Sequence, residues 1–168
     1  MEILLLGNEA LKQKAVPIKD ITAETAKFAG ELIDLMHKSK GCGLAGPQVG
    51  VMERIFVVHI EGDEPRVFIN PSILETSEKM VKGEEGCLSI PGVWADVARP
   101  EMIKVQAWNE KGRPFTVEAV GIAARAILHE YDHLEGVLFI DRISEVNREK
   151  VVARYKKKWA SKAKGSVV

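Results

Sequence analysis

The chain reads as an α+β protein, with antiparallel or mixed β-sheets packed around a central helix and a further helix towards each end. Three observations carry that reading. Strand-like runs rich in β-branched residues cluster between about residues 55 and 118. Helical periodicity appears before and after them. A run from Val120 to Leu134 combines helical spacing with two histidines four positions apart. Strands grouped centrally, with helices outside them, fit α+β better than a chain of alternating βαβ units.

The elements follow in order. After a loop containing Pro17, residues 23–37 place Phe28, Leu32, Leu35 and Met36 at helical spacing, the stripe of a helix packed on a core. The segment Gly41 to Gln48 breaks that period with three glycines and a proline. It is expected as a loop whose backbone approaches something closely. Strands are expected over Ile55 to Ile60, over Arg66 to Asn70 ending at Pro71, and over Ile73 to Met80. Met102 to Trp108 and Pro114 to Glu118 form a further pair, turned through Asn109, Glu110, Lys111 and Gly112. Ile103, Val105 and Ala107 alternate with polar neighbours, as a half-buried antiparallel strand requires. Ile122, Ala126 and Ile127 lead the late helix and Gly136 stops it. Residues 147–164 form a last, charged helical pattern with Val151, Val152, Tyr155 and Trp159 on one side. No repeat or linker divides the 168 residues, so residues 1–168 are expected as one domain. Such a chain buries roughly two-thirds of its unfolded surface.

Composition narrows the function. With 46% hydrophobic and 29% charged residues the chain is an ordinary globular protein. Lys+Arg and Asp+Glu balance at 24 each, so no global field favours nucleic acid or an anionic membrane. Sequence-specific nucleic-acid binding is not expected, and Trp94, Trp108 and Trp159 are too scattered for a stacking platform. The opening Met-Glu-Ile-Leu-Leu-Leu-Gly is too short for a signal peptide and no run is long enough to span a bilayer. A cytoplasmic location is expected, with Cys42 and Cys87 as free thiols or ligands. His37, ending a helix, and His59, in a strand, read as structural.

Chemistry concentrates in His129-Glu130-Tyr131-Asp132-His133. On a helix the two imidazoles stand one turn apart on the same face, within reach of one metal ion, and Glu130 is placed to handle protons. A third ligand is needed. Cys87, within Gly83-Glu84-Glu85-Gly86-Cys87-Leu88-Ser89-Ile90-Pro91, is the best candidate, against the alternative of a buried thiol acting as a small hydrophobe. Cys42 lies between glycines and reads as a side chain lining a pocket. One thiolate and two imidazoles leave a coordination position open for water and lower its pKa from about 15.7 towards about 7. Ligand type alone suggests Zn²⁺.

Three segments together resemble the peptide deformylases, metalloenzymes that remove the N-formyl group from nascent bacterial and organellar polypeptides. They are Gly41-Cys42-Gly43-Leu44-Ala45-Gly46-Pro47-Gln48, Glu85-Gly86-Cys87-Leu88-Ser89 and His129-Glu130-Tyr131-Asp132-His133, in the family's order and at about its spacings. The resemblance runs nearly end to end and includes Asn70-Pro71 and His133-Leu134-Glu135-Gly136. It implies that Cys87, His129 and His133 hold one divalent ion, natively Fe²⁺, for which Zn²⁺, Ni²⁺ or Co²⁺ substitute. It makes Glu130 the general acid/base, and Gln48 and the Leu88 N–H the oxyanion donors. Cys42 replaces a usual aliphatic residue, Gly46 an alanine and Leu128 a glutamine, and none of these removes a ligand or the carboxylate.

The implied substrate is a formylmethionyl nascent peptide, bordered by Cys42, Gly43, Gly86, Ile122 and the stem of Arg125. Ile122 reads equally well as core. Gly43 is expected to let its loop close around the formyl hydrogen and to exclude an acetyl methyl. Glu85 is a candidate to accept the second N–H of a ligating histidine and Asp132 to pair with Arg99, and for both acids an ordinary solvated or structural ion pair is an equal alternative. Arg154, Lys156, Lys157, Lys158, Lys162 and Lys164 form either a solvated helix face or a contact with ribosomal RNA.

Overall fold

The computed structural model describes residues 1–165, with side chains through Trp159. Helix α1 (Ala23–Lys38) starts where the Thr22 and Thr25 side chains cap each other's backbone N–H. A five-stranded antiparallel sheet follows in the spatial order β1 (Gly43–Ala45), β2 (Ile55–Val58), β3 (Arg66–Thr76), β6 (Met102–Trp108) and β7 (Pro114–Val120). A separate antiparallel hairpin is made of β4 (Met80–Cys87) and β5 (Ile90–Pro100). Helix α2 (Ile122–Leu134) packs on β1, β2 and β7 and also meets β5; α3 (Glu145–Gly165) packs on β5.

The large sheet is covered on both faces. Strand β2 shows why its sequence is continuously apolar: Phe56 and Val58 face α2 with Phe68, Val105 and Ile127, while Ile55 and Val57 face α1 with Leu32, Met36 and Ile69. A third cluster lies under the hairpin, where Ile90, Val93 and Val97 meet Phe139, Val151 and Tyr155. Helix α3 is therefore anchored by buried Val151 and Tyr155 rather than being a free tail. The first residues lace two parts together: the Leu4 N–H donates to the Gln48 carbonyl at 2.7 Å and the Leu6 N–H to the Ser89 carbonyl at 2.8 Å.

Several expected boundaries move, each for a physical reason. The segments expected as separate strands before and after Pro71 are one strand, β3, which ends at Thr76. Its ladder shifts register between Ile69 and Ser72, which accommodates the missing N–H of Pro71. Asn70 takes φ +49 there, and its side-chain amide clasps both the N–H and the carbonyl of Ile18, at 2.9 and 2.8 Å. The glycine-rich stretch expected as a loop contains β1, which pairs with β2, and a 3₁₀ turn over Gly46–Val49. Strand β5 was masked in sequence by Pro91, Gly92 and Pro100; both hairpin strands are edges, where proline is tolerated. Val120 closes β7 opposite Met102 rather than opening the helix, and Gly121 (φ +62, ψ −124) makes the corner into α2. Ile122 is 75% exposed and is not core.

The hairpin is irregular at its tip. Glu85 pairs with Ala95 but Cys87 pairs with Ile90, so two steps along β4 face five along β5. Pro91 to Trp94 leave the ladder, as residues in a bulge do, and are aimed elsewhere.

At the far end of α2, Gly136 has φ +72, and a Cβ there would lie 2.5 Å from the Lys12 carbonyl oxygen. Gly136→Ala is expected to lower the unfolding free energy by about 2 kcal/mol or more, seen as a lower urea midpoint at unchanged m-value.

Candidate metal centre

Helix α2 carries His129 and His133 one turn apart, with ring centroids separated by 5.2 Å. Cys87 ends β4 immediately before the tight Leu88-Ser89 turn. The Cys87 Sγ and one nitrogen from each ring all lie within 4.8 Å of one another. The Sγ stands 3.4 Å from His133 Nε2. Sulfur and nitrogen on one tetrahedral ion, with bonds of about 2.3 and 2.0 Å, are about 3.5 Å apart, so this donor set fits a single cation. Cys42 is outside the cluster; it is exposed at the mouth of the adjoining pocket.

The groups around these three residues orient them. His129 Nδ1 lies 2.9 Å from Glu85 Oε1, which leaves Nε2 to face the cluster. Burial alone would raise the Glu85 carboxyl, but hydrogen bonds from Arg99 and His129 outweigh it and hold the pKa at about 2. Burial depresses His129 too, yet its Cys87 and Glu85 contacts raise it well above the ordinary imidazole value. His133 moves the other way, pushed down by burial and by the neighbouring His129 and Arg99 charges.

Asp132, facing away from the ligands, accepts from Arg99 Nη1 at 2.7 Å and from Arg142 Nη2 at 2.8 Å. Arg99 in turn grips both Glu85 oxygens, each at 2.9 Å. Gln48 is buried, fixed by the Ala45 N–H on its Oε1 at 2.9 Å. Its amide nitrogen points to Ser89 Oγ at 3.1 Å and towards Cys87 Sγ at 3.6 Å. Glu130 is buried and pushed up to about 7 by burial, with repulsion from Glu85 and Asp132 opposing the attraction of His129. Among the described residues, the buried side-chain atoms without a partner are Glu130 Oε2 and His133 Nδ1, both at this site. Such atoms cost about 1–3 kcal/mol each, and their concentration in one place marks a site built for chemistry.

A cavity of about 560 Å³ opens beside the cluster. Gly43 and Gly86, Ile122, the Arg125 stem and the Leu88 turn all border it. Gly43 serves Glu130 directly: a Cβ at position 43 would come within 2.5 Å of Glu130 Oε1. Arg125 is spent on Glu85 Oε2 (2.8 Å) and on the carbonyls of Gly83, Val97 and Val81, so it walls the cavity without offering free charge.

Comparison with known proteins agrees with this geometry. The family model described as "Polypeptide deformylase" matches residues 1–149. The chain belongs to the peptide deformylases. A peptide deformylase of Clostridium botulinum is 48% identical over 139 residues, covering 83% of this chain and 93% of the relative. The crystal structure of a peptide deformylase from Legionella pneumophila superposes with a TM-score of 0.91 at 34% identity, covering 96% of both chains. One from Synechococcus elongatus, in complex with actinonin, gives 0.89 at 38% identity over 93% of this chain and 86% of that one. Peptide deformylases are metal-dependent hydrolases that remove the N-terminal formyl group from nascent peptides, and this chain has that activity.

Sequence reasoning missed three residues around this candidate site. Arg142 anchors Asp132 from outside α2 and carries no sequence signal. Ser89 holds the Gln48 amide and could have been suspected from its place two residues after Cys87. Trp94 borders the cavity although its spacing from the other tryptophans had set it aside. Among the described residues no helix is long and apolar enough to cross a membrane.

The depressed Glu85 pKa fixes a pH dependence. Its ordinary value is 4.5, so its charge stabilises the fold above that pH, and the contribution is lost as pH falls towards 2. Glu85→Gln leaves Arg99 short of a buried counter-charge and is expected to cost about 3 kcal/mol at pH 7. Urea titrations between pH 7 and 2 should show the gap to wild type closing only below about 4.5.

Proposed function

We propose that Cys87, His129 and His133 hold one divalent ion, natively Fe²⁺, and that Glu130, Gln48 and the Leu88 N–H carry out deformylation around it. The observation that supports this reading best is the meeting of three donor atoms beside a buried carboxylate whose Oε2 has no partner. Zn²⁺, Ni²⁺ and Co²⁺ suit the same donors and substitute for Fe²⁺. When bound, the ion supplies Lewis acidity and a nucleophile derived from water at neutral pH.

The remaining steps belong to the side chains. Glu130, pushed up to about 7 by burial, is poised to take the water proton and return it to the departing methionine nitrogen. The Gln48 amide N–H and the Leu88 N–H donate to the formyl oxygen as negative charge develops there, each typically worth about 3 kcal/mol. Formate and a free amino terminus leave. The formylmethionyl peptide lies extended past Gly43 and Gly86, with its methionine side chain between Cys42, Ile122 and the Arg125 stem. Burial and the Glu130 charge raise the Cys42 pKa, so Cys42 acts in that wall as a neutral thiol. Gly43 leaves space that Glu130 and a formyl hydrogen together fill, which excludes the acetyl methyl.

The protein works in the cytoplasm on nascent chains, and α3 adds a contact with the ribosome. Exposed Arg154, Lys156 and Lys157 support that contact; the Lys162 and Lys164 side chains lie outside the described residues. Reversing Lys156 and Lys157 to Glu should reduce co-sedimentation with ribosomes at low salt while formate release is kept; unchanged co-sedimentation discards the contact.

The central test is formate release from a formyl-Met peptide by protein purified without oxygen, with the metal content measured. Glu130→Gln should keep the metal and lose at least about a hundredfold in kcat. An acetyl-Met peptide should not be cleaved. Full activity in Glu130→Gln, or equal rates on the two acyl groups, would contradict the assigned roles.

A further inference from the structure

Helix α3 reaches back to the cavity through one side chain. Lys158 Nζ donates to the Gly92 carbonyl and lies over the Trp94 ring, 5.7 Å from its centroid. Gly92 and Trp94 belong to the stretch that leaves the β4–β5 ladder, and both border the cavity. The indole also sits against the backbone next to Cys87: a Cβ on Gly86 would come within 2.6 Å of its Cδ1 and Nε1. Trp94 nevertheless remains 53% exposed. An indole held on one side by a cation, fitted over a glycine and open to the cavity has the properties of a platform for another apolar group.

We infer that Trp94, held by Lys158, forms a subsite for an apolar or aromatic side chain downstream of the formylmethionine, making α3 a specificity element of the deformylation reaction. This rests on deformylation and on the peptide course past Gly86 proposed above. Lys158 lies beyond residues 1–149, the part that the family model matches. Trp94 touches substrate in this arrangement, whereas Lys158 acts through Trp94 and is a positioning residue. A solvated lysine resting on a surface indole would produce no substrate-dependent effect, which separates the two readings.

The test uses the full chain, loaded with metal, and two peptides: formyl-Met followed by two alanines, and formyl-Met followed by two phenylalanines. The readout is the ratio of kcat/KM for the second peptide over the first. Wild type should favour the phenylalanine peptide about tenfold, the effect of one well-packed aromatic contact. Trp94→Ala should bring the ratio close to one, and Trp94→Phe should retain part of it. Lys158→Ala should lower the ratio about threefold, through KM rather than kcat, and Lys158→Arg should restore it, since a guanidinium also sits over an indole. A ratio unchanged in Trp94→Ala overturns the inference, as does a Lys158→Ala ratio equal to wild type or lowered through kcat. A wild-type enzyme that cleaves neither peptide overturns the deformylase reading itself, a result distinct from a cleaved pair without preference.

Discussion

One buried run of charge, Glu85–Arg99–Asp132, decides where the site forms. Arg99 on β5 is 4% exposed and spends its guanidinium on Glu85 of β4 and on Asp132 of α2. Glu85 lies two residues before Cys87, and Asp132 lies one residue before His133. The same run that joins hairpin to helix therefore sets how far the thiol stands from the imidazoles. Removing such charges from water costs several kcal/mol per ion, and well-packed apolar residues in their place would stabilise the chain at least as well. What apolar packing does not supply is direction. The planar fork of Arg99 fixes the angle as well as the distance between the two elements, and Glu85 carries that order on to His129.

Protein contacts also hold the three donor atoms near one another. In small zinc-dependent folds the metal brings its ligands together, so folding and binding are one event. Here three apolar clusters hold the fold, and Arg99, Gln48 and Ser89 position the cluster from behind. The arrangement carries a cost in the opposite currency, namely stability. Glu130 and His133 each bury a polar atom with no partner, and a glycine is required at 43 so that Glu130 fits. These are the places where the sequence departs from what packing alone would choose.

How much was readable in advance follows from the range of each interaction. The two histidines and Glu130 were legible because a helix repeats every few residues and shows its faces in the sequence. Cys87 was legible because a two-histidine helix demands a third ligand and because Glu85-Gly86-Cys87-Leu88-Ser89 resembles a deformylase segment. The Glu85 and Arg99 partnerships could be suspected by charge, and the structure places both where they were expected. The boundaries failed where local punctuation was overridden. Pro71 reads as a strand end, yet the Asn70 clasp on Ile18 carries β3 through it. Pro91 and Gly92 hid β5, whose ladder is interrupted at that point. Ile122 seemed as fit for the core as for a pocket, because periodicity tells which face a residue is on but not whether anything covers that face. Trp94 was missed because contact across a bulge leaves no spacing to detect.

The same irregularities explain why the chain has room for a peptide. Strand β1 ends the large sheet, and β4 has a partner on one side only, so each leaves an unpaired edge. Unpaired edges invite association with other chains, and proteins normally blunt them. Here β1 is three residues long and preceded by Gly41 and Cys42, while β4 near the cavity carries Glu84, Glu85 and Gly86. Short length, charge and missing side chains make these edges poor templates for a long strand. They leave enough backbone for the brief extended segment proposed above. Specificity beyond that segment then has to come from side chains outside the ladder, and Trp94, in the looped-out Pro91–Trp94 stretch, borders the cavity.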